Sequence, residues 1–223
     1  LLETTVTGLG NDLIAQSNHT TELESAIGSS GNLLPNADLM TTAGWSVVVA
    51  EDTWAGGLLE AGLFNTMPAE VHHLGIRGIP SPTGIVVVQS PPVLVEAGRH
   101  YMVSGYPACN LDRDAVLSYK FFDSSGNVVG QGDAPAVVNS TASSDFSTYT
   151  RTWVKTPLAP TGVASLRVYL TVESYGTGGN AEAAIVRPMV ERVRALQSEP
   201  GAWTSHITGN YEALATAVQQ PTP

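Results

Sequence analysis

Residues 115–132 read AVLSYKFFDSSGNVVGQG. Two runs rich in Val, Tyr and Phe flank the cluster DSSGN (123–127). Gly accepts the positive φ that tight turns need, and short Asp, Ser and Asn side chains bond back to their own backbone. Apolar runs on both sides of such a cluster predict a β-hairpin. Working outward, HYMVSGY (100–106) and SLRVYLTV (165–172) alternate polar and apolar residues. That period of two places one face of each strand on a core and the other toward solvent. Further strand candidates are WSVVVA (45–50), EVHHLGI (70–76), GIVVVQS (84–90), STYTRTWVKT (147–156) and AEAAIVRPMVERV (181–193). With no helical period among them, eight or nine short strands predict a mainly β domain over 29–196, a jelly-roll β-sandwich.

The flanks read differently. In LLETTVTGLGNDLIAQSNHTTELESAI (1–27), the positions Leu2, Val6, Leu9, Leu13, Gln16, Thr20, Leu23 and Ile27 are spaced alternately four and three residues apart. A seam held for about four heptads is narrower than the three-in-seven stripe of a helix lying on a globular core, and it predicts a coiled-coil stalk helix over 1–28. A single amphipathic helix docked on the following domain is the alternative. Gly8 and Gly10 each weaken the helix by roughly 1 kcal/mol. Gln16 and Thr20 put polar layers in the seam, which fix register at a cost in stability. GSSGNLLPNADL (28–39) ends the helix. At the other end, a linker over 197–206 precedes Ile207, Tyr211, Leu214 and Val218, which resume the spacing and predict a second coiled-coil segment over 207–220. First and last strands of a sandwich often lie together, so a sandwich between these segments would sit on the flank of a continuous stalk. The heptads alone fit a dimer as readily as a trimer.

The chain has 223 residues, 43% of them apolar, and a net charge of −10. Its first 76 residues contain acidic side chains but no Lys or Arg. Without a basic stripe, binding to nucleic acid and to anionic membranes is disfavoured. The first helix also lacks Glu–Lys pairs to choose a partner, so identical chains meeting by shape form the simplest assembly. No apolar run reaches the roughly 18–20 residues needed to span a membrane. Cys109 has no partner cysteine and reads as a small buried side chain. There is no nucleophile elbow, zinc-protease motif or phosphate loop. The acid pairs Glu51/Asp52 and Asp112/Asp114 sit in turn sequences, where carboxylates are commonly solvated or capping. The chain is expected not to be an enzyme.

Large aromatic side chains in loops or on an outward strand face are candidate ligand residues, because a ring offers an apolar face for stacking. Trp54, in EDTWAGG, and Tyr175, in ESYGTGGN, lie in loops. Tyr149, Arg151 and Trp153 share strand parity with Lys155 and could form one ligand face; alternatively, Trp153 packs beneath the charged stems. Trp45 reads as core, and Trp203 as packed between the sandwich and the stalk. His72 and His73 are neighbours and point to opposite faces, so they do not form a zinc site.

NLLPNADLMTTAGWSV (32–47) resembles the opening strand of sandwich carbohydrate-binding modules attached to xylanases and related glycanases. Asn32, Leu33, Leu34, Asn36, Asp38, Gly44 and Trp45 carry the match, while Leu39 and Met40 depart from it. The closing AAIVRPMVERV (183–193) and EPGAWT (199–204) are similar to modules of this shape in phage tail fibres. The helical opening resembles segments of the host-specificity tip-attachment proteins of lambda-like phages. Together these resemblances imply a homotrimeric segment of a phage central tail fibre or tail tip, located in the virion. Its partners would be itself, other tail proteins and host-surface polysaccharide. They also imply a structural calcium held by oxygen ligands, with Asp38 and Glu191 the matching residues and the motif's Glu absent; no other cofactor is implied. Two alternatives accompany this reading: a non-binding spacer of the fibre, and a free carbohydrate-binding module of a secreted glycanase.

Overall fold

The computed structural model describes residues 31–50, 58–63, 72–79, 85–109, 113–138, 149–174 and 181–204. The expected stalk segments 1–28 and 207–220, with all their seam residues, lie outside these residues, as do Trp54 and Tyr175. Among the described residues there is no helix. The strands are β1 (Ser46–Ala50), β2 (Leu58–Leu63), β3 (His72–Ile79), β4 (Ile85–Gln89), β5 (Val93–Leu94), β6 (His100–Cys109), β7 (Arg113–Asp123), β8 (Val128–Asp133), β9 (Val137–Val138), β10 (Thr152–Lys155), β11 (Val163–Ser174) and β12 (Ala181–Val193). They form two antiparallel sheets. One runs β1-β4-β11-β7-β8, with β5 added against β11 and β9 against β7; the other runs β10-β6-β12-β3-β2. The mainly β expectation therefore holds, as a two-sheet sandwich. The segment 147–156 yields a shorter strand than its sequence suggested, since pairing with β6 begins only at Thr152.

One core fills the space between the sheets. Leu117, Tyr119 and Phe121 of β7 meet Val168 and Leu170 of β11 and, from the opposite sheet, Val103 and Ile185. Each large aliphatic side chain buried there contributes about 1.5–3 kcal/mol relative to leaving it exposed. Tyr119 and Phe121 meet edge to face, with ring centroids 5.2 Å apart. The expected hairpin is present. Asp123 Oδ1 accepts the N–H of Ser125 at 2.9 Å and of Asn127 at 2.8 Å, and Gly126 takes φ 85°. These bonds, led by the one from the Asn127 side chain, hold the Asp123 carboxyl below its usual range. The glycines of VVGQG have a packing reason. A Cβ on Gly132 would come within 2.9 Å of the Tyr119 ring, so the ring occupies the space a side chain would need.

Gly44 precedes the buried Trp45 at φ 79°, and a Cβ there would lie 2.6 Å from Pro91 Cγ. Gly44→Ala combines left-handed strain with this clash and is expected to cost about 2–3 kcal/mol, read as a lowered midpoint in urea unfolding with an unchanged slope.

The beginning and the end of the described sandwich are tied together at one point. β12 is irregular between Val186 and Met189, and Arg187 adopts φ 48°. Asn32 fills the gap. Its Oδ1 accepts the N–H groups of Leu34 and Val190, both at 3.0 Å. Its Nδ2 donates to Pro188 O at 2.8 Å and Thr204 O at 3.1 Å. Its own N–H donates to Thr204 Oγ1 at 3.1 Å. Both amide groups of this fully buried side chain are satisfied, and residues 32 and 204 are held side by side.

Candidate functional site

The five-stranded sheet has an inner face on the core and an outer face away from it. Strand pairing places Trp153 opposite Ser104, Lys155 opposite Met102, and both Ser104 and Met102 opposite β12, at Met189 and Glu191 respectively. Just upstream, Arg151 sits over the Tyr106 ring at 6.0 Å, and Tyr149 packs with Ala108, Val186 and Tyr106. Tyr149, Arg151, Trp153 and Lys155 therefore share the outer face, as their parity suggested.

Residues 195–204 lie across that face as a strap, and the side chains of the expected ligand surface hold it. Arg151 Nη1 donates to Gly201 O at 2.6 Å, and Nη2 donates to Ser104 Oγ at 2.9 Å. Trp153 Nε1 donates to Ser198 O at 3.2 Å. Lys155 Nζ donates to Ala195 O and, at 2.8 Å, to Gln197 O. From the sheet, Glu191 Oε1 accepts the Gly201 N–H at 2.7 Å. Both backbone groups of Gly201 are thus gripped by charged side chains of opposite sign. Trp203 ends the strap, with its indole N–H directed to Pro188 O at 3.3 Å and its ring under Arg187 at 5.3 Å. Residues 197–204, expected as part of a linker, are laid against the sandwich.

Burial dominates the electrostatics. Glu191 is 1% exposed, and burial pushes its carboxyl above the usual range, a shift only partly offset by the Gly201 N–H and by Arg151. Burial holds the Arg151 guanidinium below its ordinary value, against the opposing pull of Tyr106 and Glu191. Asp38 lies half-buried in the opening segment. Glu191 has its carboxylate turned to the Gly201 N–H and the field of Arg151, so a calcium ion at Glu191 would face a neighbouring like charge. Among the described residues, no group of three or more His, Cys, Asp or Glu side chains is placed to hold a metal.

A second feature lies at the edge. Where β10 approaches the stretch 134–138 of the other sheet, an open cleft of about 580 Å³ is lined by Pro135, Ala136, Val137, Thr150, Arg151, Thr152 and Trp153. Trp153 is 37% exposed. Thr152, 8% exposed, carries an Oγ1 that is buried without a hydrogen-bond partner among the described residues, as is Arg151 Nε. Sequence reasoning singled out Arg151 and Trp153 but missed Thr152 and the 135–137 wall. An apolar Pro-Ala-Val run beside a strand carries no binding signature until the fold brings the two edges together.

No protein-family model and no curated protein sequence matches the chain. Among solved structures, the enzymatically active domain of tailspike protein 4 of bacteriophage CBA120 is similar, with TM-score 0.52 and 14% identity over 73% of this chain. The chain spans only 21% of that tailspike structure. The TmCBM61 module, solved with β-1,4-galactotriose, gives TM-score 0.48 at 15% identity, over 73% of this chain and 99% of the module. The CBM22-1–GH10 modules of Clostridium thermocellum xylanase 10B, solved with xylohexaose, give 0.49 at 12% identity, over 74% of this chain and 29% of theirs. At these identities the likeness is one of fold.

Proposed function

We propose that the chain is a segment of a phage tail fibre or tail tip, in which a homotrimeric stalk displays non-catalytic β-sandwiches that bind host-surface glycans. The observation that carries this reading is the two-sheet sandwich, similar in fold to part of a tailspike, with an aromatic-walled cleft at its edge. A sugar ring offers one apolar face and a rim of hydroxyls, and a cleft with an indole wall and a few polar atoms complements both. The junction of Asn32 with Thr204 supports lateral attachment to a stalk, because the segments 1–30 and 205–223 join the sandwich at one place. Three copies on one stalk would supply avidity, so weak single-site binding suffices. The virion is then its location, with its own copies, other tail proteins and host polysaccharide as partners. Trp54 and Tyr175 belong to this proposal as further stacking residues.

A spacer that binds no ligand is favoured by one observation: the Trp153 indole N–H, two donors of Lys155 and both terminal nitrogens of Arg151 are used by the chain's own strap and sheet. A free carbohydrate-binding module of a secreted glycanase fits the opening motif at 32–45 equally well, but such modules are usually joined by flexible linkers, not heptads. Retention of the full chain on immobilised bacterial surface polysaccharides tests the first reading. Retention that weakens in Trp54→Ala and Tyr175→Ala supports it. No retention on any polysaccharide leaves the spacer.

A further inference from the structure

We infer that the cleft between the two sheet edges, which borders the strap-covered face, is a site for a neutral polyol ring; this inference rests on the glycan-binding reading above. Its walls come from different sheets, Pro135–Val137 on one side and Thr150–Trp153 on the other. Its volume, about 580 Å³, lies within the range of small-ligand sites and exceeds what one pyranose ring needs.

The chemistry selects the ligand class. The charged residue on the wall is Arg151, and its Nη1 and Nη2 already donate to Gly201 O and Ser104 Oγ, so only Nε remains and the two-pronged grip that favours a carboxylate or phosphate is spent. Two neighbouring wall residues instead carry buried polar atoms with no partner among the described residues, Arg151 Nε and Thr152 Oγ1. Buried polar atoms of this kind are rare and call for an explanation. A ligand hydroxyl, donor and acceptor at once, satisfies a threonine hydroxyl once rotation about the Cα–Cβ bond turns it into the cleft. The Trp153 ring is fixed by its bond to Ser198 O, so a stacking plane exists before a ligand arrives and little ordering cost remains. Pro135 and Val137 supply the opposite apolar wall. A neutral ring with one apolar face and hydroxyls at its rim meets all three features.

The test is calorimetric titration of the full chain with methyl glycosides of galactose, glucose and N-acetylglucosamine, alongside its retention on immobilised polysaccharide. Thr152→Val keeps the shape of the side chain and removes the unpartnered hydroxyl. Its melting temperature is expected to stay equal or rise, while affinity for the bound glycoside falls about tenfold, the equivalent of one good hydrogen bond. Ala136→Trp, at an exposed position on the wall, fills the cleft and is expected to abolish binding with the fold intact. If the wild-type chain binds sugar and both variants bind it unchanged, the cleft is not the site, and the glycan-binding reading stands without it. If the wild-type chain binds neither the glycosides nor any polysaccharide, that reading falls and the site falls with it.

Discussion

Asn32→Ala is expected to lower the unfolding free energy by about 3–5 kcal/mol. The magnitude follows from what the substitution strands. Leu34 N–H and Val190 N–H lose their partner in a buried setting, Pro188 O keeps only the longer bond from the Trp203 indole, and Thr204 O loses its partner nearer the surface. Each buried polar group left unpaired costs about 1–3 kcal/mol, with some recovered by relaxation or water. Asn32→Asp separates the contributions. It keeps the acceptor toward Leu34 and Val190 but turns a carboxylate oxygen toward two carbonyls. Its loss is expected to match that of the Ala variant at neutral pH and to shrink on acidification, as protonation restores a donor. Urea unfolding followed by tryptophan fluorescence at two pH values reads both effects. A loss below about 1 kcal/mol in Asn32→Ala would mean that this junction adds little to holding residues 32 and 204 together.

The second large effect concerns the strap. Arg151→Met removes the guanidinium that holds Gly201 O and leaves Glu191 buried with its compensating charge gone. Gly201 O and the buried Ser104 Oγ each lose a charged donor and Glu191 loses part of what offsets its burial, a loss expected at about 2–3 kcal/mol. Adding Glu191→Gln is expected to recover part of that loss, because Gln keeps an acceptor for the Gly201 N–H without a charge to bury. The pH dependence carries its own sign. Burial raises the Glu191 carboxyl in the folded chain, so its contribution to stability is fully present below the ordinary carboxylate range and is lost as pH rises through the raised value. In the Glu191→Gln variant that loss is absent. The stability difference, variant minus wild type, is therefore expected to grow from the ordinary carboxylate range up to the raised value and then level off. A difference that is flat with pH would show that Glu191 does not titrate between folded and unfolded chains in this way.

Much of the sandwich was legible in the sequence because its signals are local. DSSGN carries both ends of its hydrogen-bond set within five residues, and the alternation in SLRVYLTV largely survives in β11, whereas β6 is buried on both faces because residues 195–204 cover its outer one. Parity alone placed Tyr149, Arg151, Trp153 and Lys155 on one face. The purpose of that face was not legible. The strap is held through its own carbonyls and one N–H, groups that every residue carries and no pattern reveals. The strands β5 and β9 have two residues each and exist through their neighbours β11 and β7, below the length at which periodicity speaks. Asn32 stood out only within the resemblance, since its partners Pro188 and Val190 lie more than 150 residues away. The Arg-Pro step at 187–188 was the available hint of the bulge it fills, because proline cannot continue a ladder from within a central strand.

The proposed avidity, location in the virion and stalk attachment at the Asn32–Thr204 junction all depend on one property, self-association of the chain through its flanking heptads. Sedimentation equilibrium of residues 1–223 over a range of concentrations measures it directly. The expected result is a mass of three chains, which places the sandwich on the flank of a trimeric stalk. A single-chain mass at every concentration would contradict the fibre reading, and the sandwich would then stand as a free binding module.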